Sequence, residues 1–564
     1  MKEEIIKLLV NSTGLKKEEI ENKITIPPSS ELGDYAFPCF ILAGKMKKNP
    51  ALIAEELAKK ISKSLPKEIE KVIAVSGYVN FFLNKNILAE ETINEILKKK
   101  DKFSSRNEGK KIMIEFASPN TNKPLHLGHL RNMSIGESVS RLLEFQGNKI
   151  IRATLNNDRG IHICKSMLAY KLYGKNKTPE KEKIKSDHFV GDFYVLFNKK
   201  VAENPGLEEQ AQEMLRKLEA GDKETRKLLE KMNKWALDGF KETYRLFGIK
   251  FDKEYYERNI YDKAKEIVQL GLKKGIFQKK SDGAVVINLD KEGLGEKILL
   301  RTDGTSIYIT QDLYLAKLKD EEYNLDESIY VVANEQNYHF QVLFSILKKL
   351  NFKFTEKLYH LSYGMVNLPE GRMKSREGKV VDADNLIEEM KELAKKELEK
   401  RYKLNKKELE ERALKIALAS IKYFLLKVDK TKDMLFNPEE AISFEGDTGP
   451  YLQYSYARAS SILRKAKIKE IKSAKFNQLE DKEIELVKKL NEFSSILNQA
   501  YTHLNPNLIC NYSLELAHSF NEFYHSCPVI GNENEKQRMA LVQTFRIIIR
   551  NCLNLLNIET LEEM

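Results

Sequence analysis

Long hydrophobic runs are missing from this chain. No segment approaches the ~20 consecutive apolar residues that a membrane span requires. The N-terminus, MKEEIIKLLVNSTG, sets acidic residues beside its first lysine and carries too short an apolar stretch for a secretory signal. Cysteine is scarce and unpatterned. Cys39, Cys164, Cys510, Cys527 and Cys552 are odd in number, form no CxxC pair and share no zinc-ligand spacing with histidines. These features argue against a disulfide framework, a structural metal and a membrane anchor, and the expected compartment is the reducing cytoplasm. Internal repeats and low-complexity tracts are also absent.

What is present is enough apolar material for several cores. Hydrophobic residues make up 42% of 564 residues. Domains run to about 100–200 residues, so three or four units are expected. Lysine and arginine number 95 against 83 acidic residues, a net charge of +12. That sign suits a polyanionic partner such as nucleic acid, and equally a merely lysine-rich soluble protein.

Residues 1–105 read as a small α+β unit, with helical patterning over Ala51–Ile61 and an alternating strand-like run over Tyr78–Leu83. A polar linker over Lys98–Lys111 follows. Lys111–Ala117 (KIMIEFA) then reads as a buried strand, Ser118–Pro124 as a loop, the segment to Phe145 as a helix, and Lys149–Leu155 as a second strand. This is a βαβ unit, the element of a doubly wound parallel, Rossmann-like sheet. Further strands are expected around Ser328–Ala333 and Leu358–Met365, separated from the βαβ unit by a charged, mostly helical insertion over about 170–290. The expected fold class is multidomain α/β. The Rossmann-like domain is expected over 106–383, connecting helices over 384–443, and an all-α C-terminal bundle over 444–564.

The chemistry is concentrated in Ser118-Pro-Asn-Thr-Asn-Lys-Pro-Leu-His126-Leu-Gly128-His129. Free N–H groups and the positive dipole end at a helix start favour phosphate. Two histidines three apart would lie on one helical face and donate to one phosphate chain. Gly128 leaves room for a flat purine ring, and Lys123 adds a cation. No GxxxxGK[ST] sequence offers another phosphate site. An isolated four-residue match of this kind is more often a helix start with solvent-facing histidines. Its place after a predicted strand, with Lys123 and Pro124 ahead of it, favours a nucleotide site.

Glu115-Phe-Ala-Ser-Pro-Asn-Thr-Asn-Lys-Pro-Leu-His-Leu-Gly-His-Leu-Arg-Asn132, continued by Asn157-Asp-Arg-Gly160, resembles the signature region of arginyl-tRNA synthetases. Gly33-Asp-Tyr-Ala-Phe-Pro38 and Gly77-Tyr-Val-Asn-Phe-Phe82 are similar to that family's extra N-terminal domain, which contacts the tRNA core. Phe444-Glu-Gly-Asp-Thr-Gly-Pro-Tyr451-Leu-Gln-Tyr454-Ser-Tyr-Ala-Arg458 resembles the entrance to its anticodon-binding helices. The resemblance implies a class I ligase that activates L-arginine with ATP and transfers it to tRNA, with activation requiring bound tRNA. ATP would arrive with Mg2+ as a substrate complex, with no tightly bound cofactor, and the chain is expected to be a monomer.

The family's second phosphate element, a KMSKS loop, is altered here to Arg372-Met373-Lys374-Ser375-Arg376. Met373, Lys374 and Ser375 are expected at ATP, with Lys123 and Lys374 stabilising transition-state charge. By the same resemblance, Glu115, Asn120, His126, Tyr308, Asp312 and Gln336 bind arginine. A planar guanidinium with five donors calls for carboxylates and an aromatic wall. Tyr454, Arg458, Tyr524 and Met564 are the expected tRNA contacts, with bundle-core packing the alternative for each tyrosine. No protein nucleophile is needed, and no Ser or Cys triad is visible. Other class I synthetases, small nucleotidyltransferases and an inactive tRNA-binding protein are the competing readings.

Overall fold

The computed structural model describes residues 1–367, 381–467 and 470–564. Two compact units emerge. One gathers residues 1–103, 458–494 and 515–549, and the other 104–457, 495–514 and 550–564. Among the described residues no helix is long and apolar enough to cross a membrane.

The first unit opens with α1 (Lys2–Thr13) and α2 (Pro50–Ile61) around an antiparallel sheet of β1 (Tyr35–Pro38), β2 (Ile69–Val75) and β3 (Tyr78–Leu83), in the order β1-β3-β2. Asn49 caps α2 by accepting from Ala51 N, and Pro50 supplies the preset first helical residue. Ser76 and Gly77 both have positive φ, which makes the two-residue turn whose twist matches the β2–β3 hairpin. The helix α3 (Lys85–Lys99) then occupies the first part of the segment expected to be a linker. Asp34, from the first N-terminal motif, accepts from Leu83 N at 2.9 Å and pairs with Lys488. That aspartate is therefore a structural tie.

The second unit is built on a parallel sheet of β4 (Lys111–Glu115), β5 (Lys149–Asn156), β6 (Lys253–Tyr256), β10 (Glu327–Ala333) and β11 (Leu358–Tyr363), in the order β11-β10-β4-β5-β6. Its connections run through α4 (Leu127–Phe145), α5 (Ser186–Glu203), α6 (Lys223–Phe247), α7 (Glu257–Ile260), α8 (Tyr308–Tyr323) and α9 (Asn337–Lys349). Strand order reverses between β4 and β10, so ligands are expected in the crevice beyond their carboxyl ends. Helix and sheet meet closely there, because a Cβ on Gly136 of α4 would lie 2.4 Å from the ring of Phe116.

The central insertion differs from expectation. It is helical as far as Phe247; β6 then joins the parallel sheet as an edge strand, and α7 and a further helix over Ala264–Lys273 follow it. A separate antiparallel sheet follows, formed by β7 (Gln278–Lys279), β8 (Val285–Leu289) and β9 (Gly295–Leu300). Val285, Ile287 and Leu289 of β8 alternate into a cluster with Leu299, Leu313 and Leu343, so tertiary burial decides strand over helix there. After β11 the described residues are mostly helical: α10 (Ala383–Arg401), α11 (Lys406–Lys427), α12 (Gly449–Lys465), α13 (Asp481–His503), α14 (Asn507–Ser526) and α15 (Glu535–Leu555).

Candidate active site at the strand switch point

Three devices shape the crevice beyond β4 and β10. Asn132 of α4 accepts from Ala117 N at 2.5 Å and donates to Val331 O at 2.8 Å and to the Tyr363 hydroxyl at 3.0 Å. One buried amide thus ties the ends of β4, β10 and β11 together. Ala117 and Ser118 leave β4 with φ of 67° and 43°, a left-handed pair that is strained for residues with a Cβ. Finally, Leu127 N donates to Val381 O at 2.9 Å and Ala383 N to Leu125 O at 3.0 Å. The start of α10 is thereby fastened to the start of α4.

His126 is the N-cap of α4, with extended backbone (φ −140°, ψ 174°), so the two histidines do not share a helical face as the spacing suggested. They cap the helix reciprocally. Gly128 N donates to His126 Nδ1 and His126 N donates to His129 Nδ1, each at 3.1 Å. A backbone N–H can only donate, so both Nδ1 atoms are acceptors and each neutral ring carries its proton on Nε2. Burial and the Lys123 charge push the His126 pKa down to about 3. Burial, His126 and Lys123 push His129 well below its ordinary value. The rings lie 4.0 Å apart and present two fixed, uncharged N–H donors at a helix start, an arrangement suited to a phosphate chain. A Cβ on Gly128 would come within 3.0 Å of the His126 ring, so the glycine serves the cap directly. Lys123, its pKa lowered by burial, lines a cavity of about 280 Å³ with His126, His188, Asp192, Tyr194 and Asp382.

The expected amino-acid pocket is distributed as follows. Asp312 accepts from, or pairs with, His339 Nε2 at 2.6 Å, while Tyr308, one turn earlier on α8, is 63% exposed. Glu115 closes β4 and is buried, with Oε2 2.6 Å from Lys319 Nζ. Asn120 is exposed on the otherwise mostly buried loop after β4, and Gln336 is exposed in the turn after β10. Met373, Lys374 and Ser375 lie outside the described residues.

Three neighbours went unread in the sequence. His339 and Lys319 contact Asp312 and Glu115 as described. Glu257, 4% exposed at the start of α7, has an Oε2 without a hydrogen-bond partner among the described residues. Burial first, then the charges of Asp158 and Asp312, raise its pKa to about 8. A buried acid poised this way beside Tyr308 and Asp312 suits a cationic ligand. Only Lys319 left a trace in the sequence, seven residues after Asp312 and thus on the same face of a helix.

Among the expected tRNA contacts, Arg458 donates to Asn521 Oδ1 at 2.8 Å and stacks 5.4 Å over Tyr524 in the first unit. Tyr454, half-buried on α12, and Met564 at the C-terminus belong to the second. Tyr456 is 1% exposed with its hydroxyl on Glu562, so the core alternative holds for it.

Three family descriptions match the chain in succession. Arginyl tRNA synthetase N terminal domain covers residues 1–83, tRNA synthetases class I (R), catalytic domain covers 92–438, and DALR anticodon binding domain covers 452–564. An arginine–tRNA ligase of Treponema denticola is 46% identical, with 96% of this chain and 94% of that protein aligned. One of Borrelia duttonii is 42% identical, over 99% and 97%. The solved arginyl-tRNA synthetase of Thermus thermophilus superposes with a TM-score of 0.80 at 26% identity, over 100% of this chain and 99% of that one. A nucleotide-type crevice with a capped HxGH start, acidic groups beside it and these three matches in order place the chain in the class I arginyl-tRNA synthetase family.

Proposed function

We propose that this chain is an ATP-dependent arginine–tRNA ligase. The arginine carboxylate attacks the α-phosphate of ATP to give arginyl-adenylate and pyrophosphate, and a ribose hydroxyl at the tRNA 3′ end then displaces AMP. The observation that carries the reading is the reciprocal cap of His126 and His129 at the switch point. Their Nε2–H groups donate to the triphosphate, and Lys123 and Lys374 offset charge that develops in the transition state. Mg2+ travels with ATP as part of the substrate.

At the other end of the site, Glu115 and Asn120 take the α-amino and carboxylate groups with Gln336, while Asp312, Tyr308 and Glu257 face the guanidinium. Lysine would leave part of this acceptor set unpaired, which costs about 1–3 kcal/mol or more in a buried site. Residues 1–105 contact the tRNA core, 106–383 carry catalysis, 384–443 connect, and 444–564 meet the anticodon loop, with Tyr454, Arg458, Tyr524 and Met564 as contacts. The enzyme works as a monomer in the cytoplasm, a compartment that suits its five buried, unpaired thiols.

Charging of the cognate tRNA with each standard amino acid tests the assignment; arginine alone should be attached. Activation is expected to need bound tRNA. Rapid arginine-dependent ATP–pyrophosphate exchange in its absence would contradict that part of the mechanism.

A further inference from the structure

We infer that Lys319 is a positioning residue that fixes the reach between the two acidic ends of the amino-acid site, so that side-chain length is read along α8. The inference rests on the reading of Glu115 and Asp312 as ligands for the ammonium and guanidinium groups.

Lys319 is a buried lysine to which the reaction assigns no task. Its side chain is 1% exposed and its Nζ lies 2.6 Å from Glu115 Oε2. Among the described residues neither atom has a hydrogen-bond partner, so the ion pair is what engages them. The ammonium also sits 4.2 Å from the centroid of the Tyr330 ring, and Tyr330 stands directly opposite Glu115 in the β4–β10 register. Cation, carboxylate and ring therefore meet at the switch point itself. Burial alone would discharge Lys319, but Glu115 outweighs it, with further help from Tyr330 and Asp312, and its pKa is raised.

Asp312 lies two helical turns before Lys319 on the same face of α8. One rigid helix thus carries the guanidinium acceptor and the clamp on the ammonium acceptor. A buried ion pair is a poor source of stability compared with an apolar pair of equal volume. Its value here is geometric: it holds Glu115 in a single rotamer whose distance from Asp312 is set by helix rise. A ligand one methylene longer or shorter than arginine cannot satisfy both ends, and one methylene is ordinarily worth roughly 10–200-fold in selection.

The test compares Lys319→Met, Lys319→Arg and Glu115→Gln in aminoacylation of the cognate tRNA. It follows KM for arginine and ATP, and inhibition by homoarginine and norarginine, which differ from arginine by one methylene each. Lys319→Met should raise the arginine KM about tenfold, leave the ATP KM unchanged and bring the three ligands within a few-fold of one another. Lys319→Arg should restore most of the discrimination. Should Lys319→Met be insoluble, Lys319→Leu, which likewise removes every donor to Glu115 without adding bulk, carries the same readout. A folded variant with unaltered arginine KM and unaltered length preference overturns the inference alone. Glu115→Gln with an unchanged arginine KM overturns the assignment of Glu115 beneath it, whatever Lys319 does.

Discussion

His339 Nε2 sits 2.6 Å from Asp312 Oδ2, joining the helix after β10 to the helix before it. The imidazole takes one carboxylate oxygen, Oδ2. His339 therefore holds the Asp312 carboxylate in one orientation, with Oδ1 outside this contact. Asp312→Ala should raise the arginine KM ~10–100-fold, the range for losing a hydrogen bond to a charged group, with the ATP KM held. His339→Ala should raise it about tenfold with little change in kcat. Collapse of ATP affinity in Asp312→Ala, with arginine kinetics intact, would sink the assignment.

Glu257 predicts how arginine affinity depends on pH. Its folded pKa of about 8 lies above the unfolded carboxylate value, so the folded state binds the proton more tightly. Stability from this group is thus present at low pH and lost as pH rises toward 8. A guanidinium placed beside it favours the ionised form, so arginine binding should release a proton and tighten between pH 6.5 and 8.5. Glu257→Gln should flatten that slope, weaken arginine binding and raise the thermal midpoint at pH 8.5. Calorimetric titration in two buffers of different ionisation heat measures the proton directly. An identical slope in the variant removes Glu257 from the site.

The HxGH histidines should not titrate in the working range. Burial and Lys123 hold His126 near 3 and His129 below its ordinary value, so both remain neutral Nε2–H donors at pH 6–8.5. His129→Ala removes one donor and also the acceptor for His126 N, and kcat should fall on the order of 10²–10³-fold. In the parent enzyme, the acidic limb of kcat/KM for ATP should not move when His126 is replaced by Gln. A limb near pH 6–7 that vanishes in that variant would mean a histidine acting as a charged group.

The first βαβ unit was legible because KIMIEFA is a buried strand run, bounded by a proline-containing loop and a long helical period. The edge strand β6 was not: Lys253-Glu-Tyr-Tyr256 is four residues long and mostly half-buried, so neither length nor alternation marks it. The site followed the same division. His126 was marked by its HxGH motif and Asp312 by resemblance to the family, whereas Glu257 and His339 come to Asp312 from distant segments through tertiary packing alone. Asp34 shows the opposite case, a motif residue whose carboxylate serves a backbone amide and Lys488 in the fold.

His188 offers a test of how the start of α10 is fastened beside the HxGH cap. Its Nε2 lies 3.2 Å from Asp382 and 3.1 Å from Asp384. Lys185 reaches Asp384 at 2.6 Å and Asp187 at 3.3 Å, so a lysine ammonium already fills this acidic cluster. Thr243 adds a hydrogen bond to Asp384 at 2.9 Å. Burial would lower the His188 pKa, but the Asp384 hydrogen bond and the Asp382 and Asp187 charges outweigh it and raise it. A raised folded pKa means the contribution is complete below the unfolded histidine value, about 6.5, and fades as pH rises through the folded value. His188→Gln should therefore lower the thermal midpoint more at pH 6 than at pH 8.5, with a loss of about 1.5–3 kcal/mol at the lower pH, as for a hydrogen bond to a charged group. Because Asp382 is flanked by the two residues that pair with Leu125 and Leu127, the variant should also weaken ATP binding at pH 8.5 less than at pH 6. An equal loss at both pH values would show that His188 contributes by packing, and that charge plays no part in holding α10 to the cap.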